Sequence, residues 1–108
     1  ETGDIKLAVE NYNTSIRINP KFYDAHLNLG VVYAKQGEID KAIEKYNTAK
    51  SINPNLIPAY NNLASVYAKQ GRVDLAVKEL EHAVKIDPNN ASVKRNLEKL
   101  KKYKEEIN

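Results

Sequence analysis

Side chains able to do chemistry are few in this 108-residue sequence, and their spacing argues against most of what they could do. His26 and His82 are its two imidazoles and cysteine is absent, so a metal site would need Asp or Glu beside a histidine. The two histidines lie in different repeats, and neither is set in a group of likely ligands at the spacing that metal sites use. Metal binding is not expected; His26 is assigned to a helix interface and His82 to a helix surface. Glu38 with Asp40, and Glu105 with Glu106, are the candidate acid–base pairs. No cleft-forming loop accompanies them, and solvation at a turn or helix end explains them. Gly37 and Gly71 stand singly, which is no phosphate-cradling loop. The basic run Lys99 to Lys104 could attract RNA or an anionic surface, but Glu98 and Glu105 flank it, as on a solvated helix face. The triplets Asn13-Thr14-Ser15 and Asn90-Ala91-Ser92 fit a glycosylation pattern short enough to arise by chance. Neither catalysis nor a cofactor is expected.

Composition agrees. A chain that is 42% hydrophobic and 29% charged has enough apolar surface to fold. Its net charge of +3 comes from 17 basic and 14 acidic residues, an interspersed surface that gives no strong steering toward nucleic acid. Without cysteine there are no disulfides, and the redox compartment stays open. No apolar run approaches the roughly 18 residues that span a bilayer, and the amino end has no signal core. The expectation is a soluble, cytoplasmic segment. Methionine is absent and the pattern begins mid-unit at Gly3, so the sequence reads as part of a longer protein, with Glu1 and Thr2 as additions.

The elements that would carry these residues recur. Val32-Tyr33-Ala34-Lys35-Gln36-Gly37 returns as Val66-Tyr67-Ala68-Lys69-Gln70-Gly71, a displacement of 34 residues. The same step links Asn19-Pro20, Asn53-Pro54 and Asp87-Pro88, and Gly3, Gly37 and Gly71. A unit of this length is one supersecondary element that buries its apolar face by stacking on neighbours. Ala25, Leu29, Val32 and Tyr33 fall at helical spacing over Asp24–Gln36, and Gly37 ends that helix. Ile39, Ala42, Ile43, Tyr46, Ala49 and Ile52 mark a second, stopped by Asn53-Pro54. The next unit predicts helices over Pro58–Gln70 and Val73–Ile86, with Pro58 in a first turn. Asn90 caps a last helix whose stripe is Val93, Leu97, Leu100, Tyr103 and Ile107. Gly30, Ala64, Ala8, Ala42, Ala76, Ser15, Ala49 and Ala83 are small where helices must approach, and Tyr12, Tyr33, Tyr46 and Tyr67 fill neighbouring gaps. The fold class is all-α.

This arrangement resembles the tetratricopeptide repeat. One unit reads His26, Leu29-Gly30, Tyr33, Ala42, Tyr46, Pro54, and the next Tyr60, Leu63-Ala64, Tyr67, Ala76, Leu80, Pro88. Before them Ala8, Tyr12 and Pro20 match the second half of a unit. The sequence departs from the family at His26, where Trp is frequent, at Ala64 for Gly and at Leu80 for Phe. The resemblance implies one domain over 1–108: a half repeat at 3–22, full repeats at 23–56 and 57–90, and a capping helix at 91–108. It implies a right-handed α-α superhelix, or solenoid, of helix-turn-helix hairpins.

The family further implies that first helices line a concave surface that holds a protein or peptide, with no chemistry. Asp24, Leu27, Asn28, Val31 and Lys35 would lie there, followed by Asn61, Asn62, Ser65 and Lys69, and by Ser92, Arg95, Asn96 and Lys99. Asn28, Asn62 and Asn96 are 34 residues apart and resemble the asparagine ladder of the O-GlcNAc transferase repeats. An amide both donates and accepts, so it can hold a peptide main chain without demanding a side chain. A substrate-recruiting segment of a larger enzyme of that glycosyltransferase kind is the alternative. The carboxylate clamp of chaperone adaptors is not matched: Leu27, Val31, Ser92 and Asn96 stand at its positions, and only Asn62 agrees. Neither nucleic acid nor membrane is expected as a partner. The helix Asp4–Arg17 lacks its first-helix partner, so part of Ile5, Ala8, Val9, Tyr12 and Ile16 should be exposed, and the isolated chain is expected either to be modestly stable or to form a homo-oligomer through that end.

Overall fold

The computed structural model describes residues 3–107, which hold six helices and no strand. Glu1 and Thr2, read above as additions, lie outside the described residues. The helices are α1 (Gly3–Ile18), α2 (Tyr23–Lys35), α3 (Ile39–Ile52), α4 (Ile57–Lys69), α5 (Val73–Ile86) and α6 (Ala91–Ile107). Every element that periodicity predicts is present, and α3 and α5 have the expected limits. α2 and α4 begin and end one residue earlier than predicted, because Gln36 and Gln70 already belong to the turn.

The turns explain the punctuation. Gly37 and Gly71 have φ of 80° and 77°. In that left-handed state the Gly37 N–H reaches the Ala34 carbonyl at 3.1 Å and the Glu38 N–H reaches Tyr33 at 2.9 Å. Gly71 to Ala68 and Arg72 to Tyr67 repeat the arrangement. Two orphan carbonyls at each helix end are thereby satisfied. At the Asn-Pro turns, Asn19 Oδ1 accepts from Lys21 N–H at 3.2 Å and Asn53 Oδ1 from Asn55 N–H at 3.3 Å, the local side-chain bonding that makes asparagine a turn former. Asn90 caps α6 as expected, its Oδ1 accepting from Val93 N–H at 3.1 Å.

The chain divides into two compact units, Glu1–Ala59 and Tyr60–Asn108, with the division inside α4. A repeat array buries its side chains between neighbouring helices and has no central core to fix one seam.

In the first unit α2 packs on both α1 and α3. Ala25, Leu29, Ala42, Tyr46 and Ala49 are buried there with His26 and Gly30. Gly30 faces the Tyr46 ring so closely that no side chain fits between them. α1 has no fully buried residue, and Ile5, Ala8, Val9, Tyr12 and Ile16 are all partly exposed.

In the second unit Tyr60, Leu63, Ala64, Val66 and Tyr67 of α4, Val73, Ala76, Val77, Leu80 and Ala83 of α5, and Val93 and Leu97 of α6 are buried. His82 is exposed, as expected, and its ring lies 5.0 Å from that of buried Tyr60. The predicted α6 stripe is not buried throughout: Val93 is sealed, whereas Tyr103 and Ile107 are 49% and 56% exposed. Lys104 already reaches Asp74 in the first turn of α5, so the last turn of α6, from Tyr103 on, lies at the edge of the helix it would cover.

Candidate functional site

Side chains assigned to a binding surface lie on α2, α4 and α6. On α2, Asp24, Asn28 and Lys35 are exposed and Leu27 and Val31 partly buried. On α4, Asn61 and Asn62 are partly buried and Ser65 and Lys69 exposed; on α6, Ser92, Arg95, Asn96 and Lys99 are all exposed.

Within the second unit the structure brings four of these together. Asn61, Ser65, Asn96 and Lys99 border an open cleft of about 290 Å³, with Ala64, Leu80 and Leu100 as its apolar lining. Asn61 and Ser65 are one turn and a fraction apart on α4, as are Asn96 and Leu100 on α6, so each helix presents one stripe to the cleft. Asn62, Lys69, Ser92 and Arg95 do not border it. Asn62 is next to Asn61 in sequence, and consecutive residues on a helix point about 100° apart. The polar pattern alone does not single out the apolar lining; its signal is the i+3 spacing of Ala64 from Asn61 and the i+4 spacing of Leu100 from Asn96.

The Asn61 side-chain oxygen is buried and has no hydrogen-bond partner. A buried acceptor without a donor costs about 1–3 kcal/mol, and a turn of the Asn61 amide toward the cleft that this residue borders would let a ligand N–H recover it. Ser65 and Asn96 both donate and accept, and Lys99 adds an ammonium. The cleft can therefore hold a polar main chain over a small apolar floor.

Two other basic groups of α6 are engaged elsewhere. Lys104 Nζ lies 2.6 Å from Asp74 Oδ1 and Lys101 Nζ 3.8 Å from Glu81 Oε2. The hydrogen bond and charge of Asp74 raise the Lys104 ammonium above its ordinary pKa. In the first unit, a depression of about 660 Å³ is lined by Gly3, Lys6, Val9, Glu10, Tyr33, Gln36, Glu38 and Lys41. There Lys41 is already paired with Glu38 at 3.5 Å and lies 5.4 Å from the centre of the Tyr33 ring. Among the described residues no three His, Asp or Glu side chains converge on a common point, and no helix is long and apolar enough to cross a membrane.

A family model described as a TPR repeat matches residues 1–37 and 33–71, and one described as a tetratricopeptide repeat matches residues 57–90. No curated protein matches the chain. Solved structures do. MamA is 34% identical, with 83% of this chain and 53% of that one covered at a TM-score of 0.77. A thermophilic TPR protein of Thermus thermophilus is 26% identical over 91% of this chain and 50% of that one, at a TM-score of 0.84. The chain thus spans about half the length of both. The first TPR of Spaghetti (RPAP3), bound to the HSP90 peptide SRMEEVD, is 20% identical over 94% of this chain and 80% of that one, with a TM-score of 0.83. That last likeness is one of fold: an all-α array of helical hairpins.

Proposed function

The chain belongs to the tetratricopeptide repeat family, and on that premise we propose that it is a non-catalytic interaction module that holds an extended peptide along its first helices. The cleft of the second unit is part of the seat. The observation that carries this reading is the buried, partnerless Asn61 oxygen beside Ser65, Asn96 and Lys99. A peptide N–H meets Asn61, and Lys99 attracts a carbonyl or a carboxylate. Leu27 and Val31 on α2 take apolar side chains of the partner. Asn28, Asn62 and Asn96 remain the proposed amide ladder, with Asn96 the member that borders the cleft.

The Spaghetti repeat is bound to an HSP90 peptide rich in acidic residues. For this chain tight binding of such a tail is not proposed. Leu27, Ser92 and Asn96 supply no cation where the clamp needs one, Val31 stands where it needs an asparagine, and a terminal carboxylate loses its charge-assisted hydrogen bonds.

The test is to enrich a degenerate peptide library on the intact protein and titrate the winners against two double variants. Asn61→Ala with Lys99→Ala should weaken binding about tenfold or more, equivalent to about 1.4 kcal/mol, with helicity and melting nearly unchanged. Asn28→Ala with Asn62→Ala tests the ladder separately. Undiminished binding by the first variant refutes the cleft, and by the second the ladder; a library that yields no specific peptide refutes the function.

A further inference from the structure

Gly30 of α2 lies against the Tyr46 ring of α3 with no room for a Cβ between them, and Tyr46 is only 2% exposed. The residues 34 positions later are Ala64 of α4 and Leu80 of α5. Both border the cleft of the second unit, together with Leu100. At 3% and 1% exposure they form its floor, whereas Ser65, Asn96 and Lys99 stand exposed at its rim. The cleft opens over the position at which the preceding repeat keeps a ring.

The two exchanges act in opposite directions. Leu80 lacks the outer atoms of a tyrosine ring and so leaves depth. Ala64 brings a methyl group to the plane on which such a ring would lie, and a ring set flat there meets the overlap that glycine avoids at Tyr46. A branched aliphatic side chain is shorter and rounder and needs no such plane. We propose that Ala64 and Leu80 set the specificity of the cleft: it takes a leucine, isoleucine or valine side chain of the bound peptide and turns away aromatic ones. The inference rests on the reading of the cleft as a peptide seat. With the peptide main chain at the polar rim of Asn61, Ser65 and Asn96, the chosen side chain points down between Ala64, Leu80 and Leu100. The stem of Lys99 covers it from the side, because a lysine can lay its methylene groups on apolar surface while its ammonium stays in water.

The probe is a degenerate peptide library, acetylated and amidated so that no terminal charge takes part, enriched on the intact protein. One position should select Leu, Ile or Val. In the strongest binder, exchange of that residue for Phe should weaken binding about tenfold or more. Ala64→Gly in the protein removes the methyl group and should recover most of the loss of the Phe peptide, which a merely structural role for Ala64 would not do. Ala64→Gly with Leu80→Tyr copies the Gly30 and Tyr46 pair and fills the cleft. The aliphatic peptide should then bind about tenfold or more weaker to a protein that still melts cooperatively. Should that variant not fold, Leu100→Phe, at a partly exposed position of α6, fills the cleft from the other side and must weaken the peptide likewise. Aromatic residues selected as often as aliphatic ones overturn the proposal, as does undiminished binding to the filled cleft. Enriched peptides that share no aliphatic position overturn this inference alone; a library that enriches nothing overturns it together with the reading beneath it.

Discussion

A Cβ placed on Gly30 would lie 2.6 Å from Cε1 and 2.7 Å from Cδ1 of Tyr46. One repeat later the equivalent pair is Ala64 and Leu80, which are 3% and 1% exposed and border the same cleft. The two departures from the family pattern are thus one exchange: a methyl gained on the first helix is matched by a planar ring lost from the second.

Gly30→Ala should therefore destabilise, although alanine is the better helix former. Overpacking costs about 1–3 kcal/mol, against about 0.5–1 kcal/mol gained in helix propensity. At about 4–8 °C per kcal/mol for a domain of this size, a melting point lower by several degrees is expected. Tyr46→Leu alone should destabilise through lost packing. The double variant, which recreates the Ala64–Leu80 pair, should be more stable than the sum of the singles predicts by about 0.5 kcal/mol or more. Additive effects in urea unfolding would contradict the exchange.

Helix limits were legible in the sequence because the same few residues set them each time. Gly37 and Gly71 are where the backbone turns left-handed, and Asn19, Asn53 and Asn90 bond the next residues' amides. The cleft was legible only in part. Asn61 and Asn62 are both polar, so composition gives no phase, and only packing decides which one faces Asn96. Nor could periodicity tell where burial of α6 stops. Tyr103 continues the stripe perfectly well, but it lies at the edge of α5.

His26 is buried, and its Nε2 donates to the Pro20 carbonyl at 3.0 Å. Its Nδ1 is buried with no hydrogen-bond partner. Replacing the ring by an apolar one removes that orphan and leaves the carbonyl of Pro20, an exposed residue, to find water. His26→Phe should then change stability by no more than about 1 kcal/mol, whereas His26→Ala should cost about 2–4 kcal/mol through the cavity. Chemical denaturation of both checks this. A phenylalanine variant as unstable as the alanine one would mean that the bond to Pro20 is what matters.

Gly37 has open space around a would-be Cβ, so its cost of substitution is conformational alone. At a φ of 80° an alanine should lose about 1–2 kcal/mol. Gly37→Asn should lose less, since asparagine tolerates the left-handed state. Equal losses for Ala and Asn in thermal melts would point to a steric cause instead.

Stability should fall at alkaline pH for two separable reasons. Burial raises the Tyr46 phenol above its ordinary value of 10.0, and the Asp74 hydrogen bond and charge raise Lys104 above 10.5. In each case the folded chain keeps the proton to higher pH than the unfolded chain does. The contribution of each group is complete below its unfolded value and is lost as pH rises through its folded value. Melting points should therefore be level on approaching pH 10 and decline above it. Tyr46→Phe should flatten part of that decline at any ionic strength, because a buried phenol is poorly screened. The part removed by Lys104→Gln should shrink in high salt, since Asp74 is largely and Lys104 partly exposed. A decline unchanged by Tyr46→Phe would show that the phenol leaves its pocket before it ionises.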